Sequence, residues 1–432
     1  MRALLVACLV ALPAGAAEYR TYEGHGGPVM DVRLSPDGSH LLTGSFDYSV
    51  GLWPADGGDP VWLDGHRAAV TDVAVLPDGR AVSGSDDFTA ILWDLESGQA
   101  IRTFEGHRGK VAAVRPSPDG RTLATASWDG TLRLWDIDSG EQIAVVDDHA
   151  GAVTDAAWAP DGSALFSSDA GGQVIRRGPD GRAERTLAEH GFGVNVLAVG
   201  ADGRWLAYGG VDGRTLVVDA ATGDEVADLS GDRRPILALA LSPDGERLAV
   251  GDGEGFITVV TTGDWRLLRD FHAVAEGPVW ALAFTADGEG VVAGGIADEA
   301  ALWPLDTDGV AGTGEVRPFH TDPGTVPNGE RQFLRKCSVC HTLTEDGARR
   351  AGPPLAGLFG REAGTVDGYA YSDALAGSGI VWGDETIDLL FDLGPDHYTP
   401  GSKMPMQRIA SADDRADLID YLRRATAATD TD

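Results

Sequence analysis

Over residues 29 to 305, apolar and polar positions alternate in short runs. Val29 to Leu34, His40 to Thr43 and Ser49 to Trp53 are the first three, bounded by Gly, Asp and Pro. Period-2 runs between turn residues predict short antiparallel strands. The pattern also repeats. A turn of the Pro-Asp-Gly kind recurs with its aspartate at Asp37, Asp78, Asp119, Asp161, Asp202, Asp244 and Asp287, at spacings of 41, 41, 42, 41, 42 and 43. A second marker runs in phase: His25, His66, His107, His149, His190, then Gly231-Asp232, then His272. Such a period predicts an array of like units that bury their faces against one another. The stretch from Asp306 to Asn328 is rich in Gly, Pro, Thr and Asp and loses this pattern, so 307–328 reads as a linker. From Gly329 the periodicity becomes helical and leads through Phe333 and Lys336 into Cys337-Ser338-Val339-Cys340-His341.

The first residues follow a different logic. Met1-Arg2 supplies one positive charge, Ala3 to Leu12 is unbroken apolar sequence, and Pro13 to Ala17 offers small residues. This predicts a signal peptide over 1–17, cleaved near Ala16 or Ala17, and hence export to the periplasm or beyond. The run is too short for the roughly 20 residues of a membrane-spanning helix, and no later apolar run reaches that length.

Composition narrows the classes. A hydrophobic fraction of 43% excludes a disordered chain, and 432 residues exceed what one ordinary core serves. Glycine, at 59 residues, is in excess and fits many tight turns. With Lys+Arg 34 against Asp+Glu 67, the net charge of −33 argues against a nucleic-acid partner. Three cysteines make no disulfide scaffold, and loss of Cys8 with the signal leaves Cys337 and Cys340.

Those two cysteines carry the clearest chemistry. C-x-x-C-H is an attachment site for c-type haem. Two thiols three apart on a helical turn reach the two vinyl groups of one porphyrin edge and form thioethers. His341 then lies under the iron and supplies an imidazole nitrogen. A zinc half-site and a redox dithiol compete. Zinc needs further ligands, whereas no other cysteine remains, and a dithiol does not require His341. A sixth ligand is sought downstream in Pro400-Gly401-Ser402-Lys403-Met404-Pro405, where Met404 offers a neutral thioether and Met406 and Lys403 are rivals.

Two resemblances extend this reading. Gly106 to Asp136, "GHRGKVAAVRPSPDGRTLATASWDGTLRLWD", resembles a WD40 repeat. The resemblance implies a seven-bladed β-propeller over 18–306, four strands to a blade, closed where residues 18–23 complete the seventh blade beside 301–305. It also implies a buried hydrogen-bonded chain in each blade: His25, Ser45, Asp47, Trp53; His66, Ser85, Asp87, Trp93; and His107, Ser127, Asp129, Trp135. Arg177, Val218 and Val260 stand where tryptophan is expected, and Gly171 where aspartate is expected.

Residues 329–426 resemble class I cytochrome c of the mitochondrial type, with 427–432 left as a disordered tail. The motifs are "GPPLAGLFGR" (352–361), "GYAYSDAL" (368–375), "GIVWGDETI" (379–387), "YTPGSKM" (398–404) and "ADLIDYLRRAT" (416–426). The fold class is therefore multidomain, an all-β propeller followed by an all-α cytochrome c domain with one covalent haem c. The resemblance favours Met404 over Met406. It implies that the Pro353 carbonyl fixes His341, that Arg361, Tyr371 and Trp382 hold one haem propionate, and that Ser402 lies near the other. It also implies that Gly329 and Phe333 on the first helix pack against Leu418 and Tyr421 on the last. Leu375, Phe391 and Met406 depart from the family's asparagine, tyrosine and phenylalanine, which implies a reduced hydrogen-bond network on the methionine side.

A His/Met haem implies single-electron transfer, with the propeller as docking platform for a protein redox partner that carries a basic surface. Two alternatives stay open: an oxidoreductase with its catalytic site on the propeller, and a haem-based redox-sensing scaffold. Nitrite reductases with haem d1 are similar in combining a cytochrome c with a propeller, but theirs has eight blades and the domain order is reversed.

Overall fold

The computed structural model describes residues 20–305 except 232, 275 and 276, and 326–427 except 339–340, 345–351, 368, 370, 400–403, 405–407 and 410. The segment read as a signal peptide, most of the linker and the tail lie outside the described residues, as do Cys340, Pro400, Gly401, Ser402, Lys403 and Met406.

The described repeats fold into seven four-stranded antiparallel sheets. The first contains β2 (Val29–Leu34), β3 (His40–Ser45), β4 (Ser49–Pro54) and β5 (Val61–Asp64). Five more follow in chain order: β6–β9 (70–104), β10–β13 (111–146), β14–β17 (153–189), β18–β21 (194–228) and β22–β25 (236–272). The seventh is built from both ends of the ring. There β26 (Val279–Phe284), β27 (Gly290–Gly295) and β28 (Glu299–Pro304) accept β1 (Arg20–Glu23) as outer strand, with Tyr22 opposite Ala300. Closure leaves the sheets no open end at which to aggregate.

Each blade buries an apolar face against its neighbour, which is why one repeat could not stand alone. In the first cluster, Tyr22, Val29, Val32, Leu41 and Trp53 pack with Ala281, Ala283, Val292 and Ala300 of the seventh blade. Carboxylates add polar staples between blades. Asp31 accepts the N–H of Val73 at 3.0 Å, Asp72 that of Val114 at 2.6 Å, and Asp155 that of Leu197 at 2.8 Å. Arg33 and Arg115 lie among them, Arg33 donating to Asp31 and Arg115 to both Asp72 and Asp155. Burial dominates Asp31 and, with Asp72 beside it, pushes its carboxyl up to about 8, although the two arginines pull it back.

The buried chain within a blade differs from the expectation at one position. His25 donates through Nδ1 to Asp47 at 3.0 Å, and its Nε2 meets Thr43, not Ser45, at 2.6 Å. Trp53 donates to the same Thr43 oxygen at 2.8 Å. Ser83 and Thr125 play this part in the next two blades, in place of Ser85 and Ser127. Ser45, Ser85 and Ser127 lie one pleat nearer the turn and donate instead to the carbonyls of Gly27, Ala68 and Gly109.

The later blades keep the register. Arg177, Val218, Val260 and Trp303 pair with Leu165, Leu206, Leu248 and Val291 as Trp53 pairs with Leu41. In blade four the aspartate is Asp169, not position 171: its Oδ2 accepts from His149 at 2.9 Å, and Arg177 reaches Ser167 in the tryptophan's place. Fully buried Arg177 is held by Asp148 at 2.7 Å, which makes its charge tolerable. His272 is no seventh-blade counterpart of His25. It ends β25 in blade six and bonds the Glu254 carbonyl at 2.9 Å.

The C-terminal residues form α1 (Asn328–Lys336), α2 (Asp373–Ala376), α3 (Asp384–Leu393), α4 (Pro395–Tyr398) and α5 (Ala412–Ala425). Among the described residues α1, α3 and α5 are the only helices longer than one turn, and Glu362 pairs with Val381 in an isolated bridge, so the expected all-α description holds only in part. Ser411 caps α5 by accepting the Asp414 N–H. At the α1–α5 crossing a Cβ on Gly329 would run into the Asp417 carbonyl, so only glycine allows this approach. Phe333 stacks on Tyr421 there, with ring centroids 5.7 Å apart.

Candidate haem site

The site begins where α1 ends. Cys337 donates its N–H to the Phe333 carbonyl at 2.8 Å, and His341 donates to the Cys337 carbonyl at 2.9 Å. These bonds carry the chain past the end of α1 in its own pattern and take Cys337 inward to 4% exposure. The chain then doubles back. Leu355 donates to the Thr342 carbonyl at 2.8 Å, which brings Pro353 beside the imidazole.

His341 Nδ1 lies 2.8 Å from the Pro353 carbonyl oxygen and donates to it. Nε2 makes no hydrogen bond among the described residues. Burial lowers the His341 pKa, partly offset by the Pro353 bond, while Arg361 lowers it further. The result is a neutral imidazole with its tautomer fixed and one nitrogen left for a metal.

Cys337 belongs to an apolar cluster with Phe333, Leu355, Leu358, Leu390 and Phe391, and Met404 packs against that cluster. Backbone and charge hold Ile409, which follows Met404 in the chain. Ile409 donates to the Phe391 carbonyl at 2.9 Å. Arg415 of α5, only 8% exposed, donates to the Ile409 carbonyl at 2.9 Å and to Asp388 of α3 at 2.7 Å. Sequence reading missed Arg415; its signal was a cation on the inward face of an amphipathic helix.

Arg361 and Trp382 are brought together by a short ladder. Trp382 donates its N–H to the Arg361 carbonyl at 2.9 Å, and Gly360 donates to that of Trp382 at 2.8 Å. The Arg361 guanidinium is anchored on the carbonyls of Ala356 at 2.7 Å and Pro354 at 2.9 Å. The Tyr371 ring meets Tyr369 edge-on, with centroids 4.7 Å apart, and burial pushes its phenol pKa up. Cys340 and Ser402 lie outside the described residues.

These residues fit a haem c. One thiol and one thioether meet at a single apolar cluster, and a neutral imidazole follows the thiol by four residues, a donor set suited to haem iron. Comparison with known proteins decides the family. The Cytochrome c family matches residues 326–426. A cytochrome c of Sesamum indicum is 45% identical over 106 residues, covering 24% of this chain and 94% of the relative. The chain belongs to the cytochrome c family.

Cytochromes c of Gossypium barbadense and Chlamydomonas reinhardtii are 44% and 42% identical over 106 and 104 residues, each covering 24% of this chain, with 94% and 92% of the relative spanned. With the cytochrome c domain comes its cofactor, one covalently attached haem c. The WD domain, G-beta repeat family matches 17–54, 60–94, 98–136 and 140–175, the first four repeats, of which the first three keep the tryptophan. The remaining blades are recognised by their strands.

Proposed function

We propose that this chain is an exported single-electron carrier whose propeller docks a protein redox partner. The observation that carries the proposal is His341 Nδ1 held 2.8 Å from the Pro353 carbonyl while Cys337 and Met404 border one apolar cluster. Bound haem c supplies a one-electron Fe(III)/Fe(II) couple. Cys337 and Cys340 anchor it covalently. Pro353 orients the His341 ring and would raise its basicity as a ligand to the iron. Met404 would supply a thioether as the second protein ligand, a pairing suited to electron transfer. Arg361, already fixed on two carbonyls, and Tyr371, Trp382 and Ser402 supply donors for the propionates, whose charges need such partners in an apolar setting.

The carrier reading is favoured over a catalytic propeller by the histidines. His25, His66, His107, His149 and His190 each bond an aspartate, as structural side chains do. Export rests on the tripartite N-terminus, and the basic partner surface on the acidic charge balance. No helix among the described residues is long and apolar enough to cross a membrane.

The axial assignment is tested by spectroscopy of the ferric protein. Met404→Ala should abolish the weak sulfur-to-iron charge-transfer band at the red end of the visible spectrum, and Met406→Ala should leave it. The reverse pattern would transfer the ligand role to Met406.

A further inference from the structure

Among the described residues, the large apolar side chains that the propeller exposes fall in two places. Some lie on outer strands, as Val61 and Ile143 do. The others lie in connections at one end of the sheets. Phe88 and Trp128 sit in the turns between the second and third strands of blades two and three, Val211 in that of blade five, and Phe192 in the loop leading from blade four into blade five. In an antiparallel meander these two kinds of connection share one end of the sheet. Val211 ties them together by donating its N–H to the Gly193 carbonyl at 2.9 Å. The turns of the opposite face, which hold the seven repeating aspartates, expose no large apolar side chain among the described residues.

Two of these side chains are held out in water by the turns themselves. Phe88 has a φ of 72°, at the turn position where blades three to six carry Gly130, Gly172, Gly213 and Gly255. A left-handed backbone costs a residue with a Cβ about 1–2 kcal/mol. At 45% exposure Phe88 recovers little of that by packing. Trp128 is 56% exposed, and the Lys110 ammonium lies 3.5 Å over its ring, which fixes its orientation. Aromatic tips presented in this way on one face mark a contact surface.

Charge surrounds the tips. The outer strands of blades seven and one to four reach this face with the exposed acids Glu23, Asp64, Glu105, Asp147 and Glu189. Two exposed cations stand nearer the aromatics. Arg67 donates its N–H to Asp87, the neighbour of Phe88, at 2.8 Å, and Arg108 donates to Asp129, the neighbour of Trp128, at 2.9 Å. Their guanidinium groups make no ion pair among the described residues. Arg214 and Arg234 on the same face are paired with Asp228 and Glu254.

We propose that this face is where the propeller docks its redox partner, a basic protein with apolar recesses for Phe88, Trp128 and Phe192 and an acidic spot opposite Arg67 and Arg108. The inference rests on the docking role proposed above and adds the face and its anchors. The acids draw the basic partner in, and the aromatic tips, once desolvated, hold it.

Site-specific photocrosslinking of the full-length holoprotein, in the cells that produce it, tests this. The photoreactive residue p-benzoylphenylalanine replaces Phe88 or Trp128, and in a third variant Glu96, exposed in a turn of the opposite face. A protein adduct is expected at 88 and 128 and none at 96, and mass spectrometry should identify a protein of basic isoelectric point. Stopped-flow mixing with that purified protein should show electron exchange, slowed about tenfold when Phe88→Gly and Trp128→Ala are combined. Phe88→Gly also relieves the left-handed strain, so the slower exchange should come without loss of thermal stability or change in the Soret band. An adduct at 96 instead of at 88 and 128, no adduct at all, an acidic captured protein, or undiminished exchange by the double variant would overturn the face and leave the carrier reading standing. A basic protein captured at 88 and 128 that exchanges no electrons would uphold the face as a docking surface and overturn the carrier reading.

Discussion

In blade three the Thr125 hydroxyl accepts from the Trp135 indole at 2.9 Å and meets His107 Nε2 at 2.8 Å, while the other imidazole nitrogen reaches Asp129 at 2.9 Å. Removing the hydroxyl while keeping the shape leaves two buried polar groups without their partner. Thr125→Val should therefore cost about 1–3 kcal/mol of stability. Ser127→Ala, which removes a hydroxyl that donates to the Gly109 carbonyl and accepts the Asp129 N–H, both part-buried backbone contacts, should cost less. Denaturant melts of the two variants check the order; an equal or reversed order would restore Ser127 to the chain. His, Asp and Trp at their repeating positions are legible in sequence because each type has one reading there. The hydroxyl is not, because positions 125 and 127 lie on the same face of one strand and both carry one. Arg177 for Trp is legible as an exception, but its bond to Asp148 is not, since that carboxylate lies 29 residues away.

At the scale of elements, turns and caps are readable and long-range clamps are not. The Asp-Gly turns bound the strands as expected because glycine supplies the positive φ those turns need, as at Gly38 and Gly120. The close crossing of α1 and α5 is likewise signalled by Gly329. The clamp of Arg415 on α3 and on the Ile409 carbonyl depends on how α5 lies against α3, which no local pattern encodes. We expect Arg415→Gln to loosen the segment that carries Met404 without unfolding the domain. On heating the ferric protein, the sulfur-to-iron band should then fade well below the temperature at which helical circular dichroism is lost. If band and helix signal vanish together as in the parent protein, Arg415 does not hold that loop.

For the molecule as a whole, charge is placed unevenly. Residues 329–432 hold 11 Lys+Arg against 17 Asp+Glu, so most of the net −33 belongs to the preceding sequence. An acidic docking platform attracts a basic partner, and salt screens that attraction over a Debye length of about 8–10 Å near physiological ionic strength. The bimolecular rate of electron exchange with a basic protein partner should fall as salt rises; a rate that is flat or rising with salt would contradict the acidic docking surface. The number of blades, their order and the haem motif are all legible at this scale, because repetition and C-x-x-C-H are patterns in the chain itself. The central claim, a single-haem electron carrier, is met most directly by spectroelectrochemical titration of the mature holoprotein. The account predicts one reversible one-electron wave from one haem c, at a positive potential, with no second chromophore. A second redox centre, or a wave that fails to fit one electron, would contradict it.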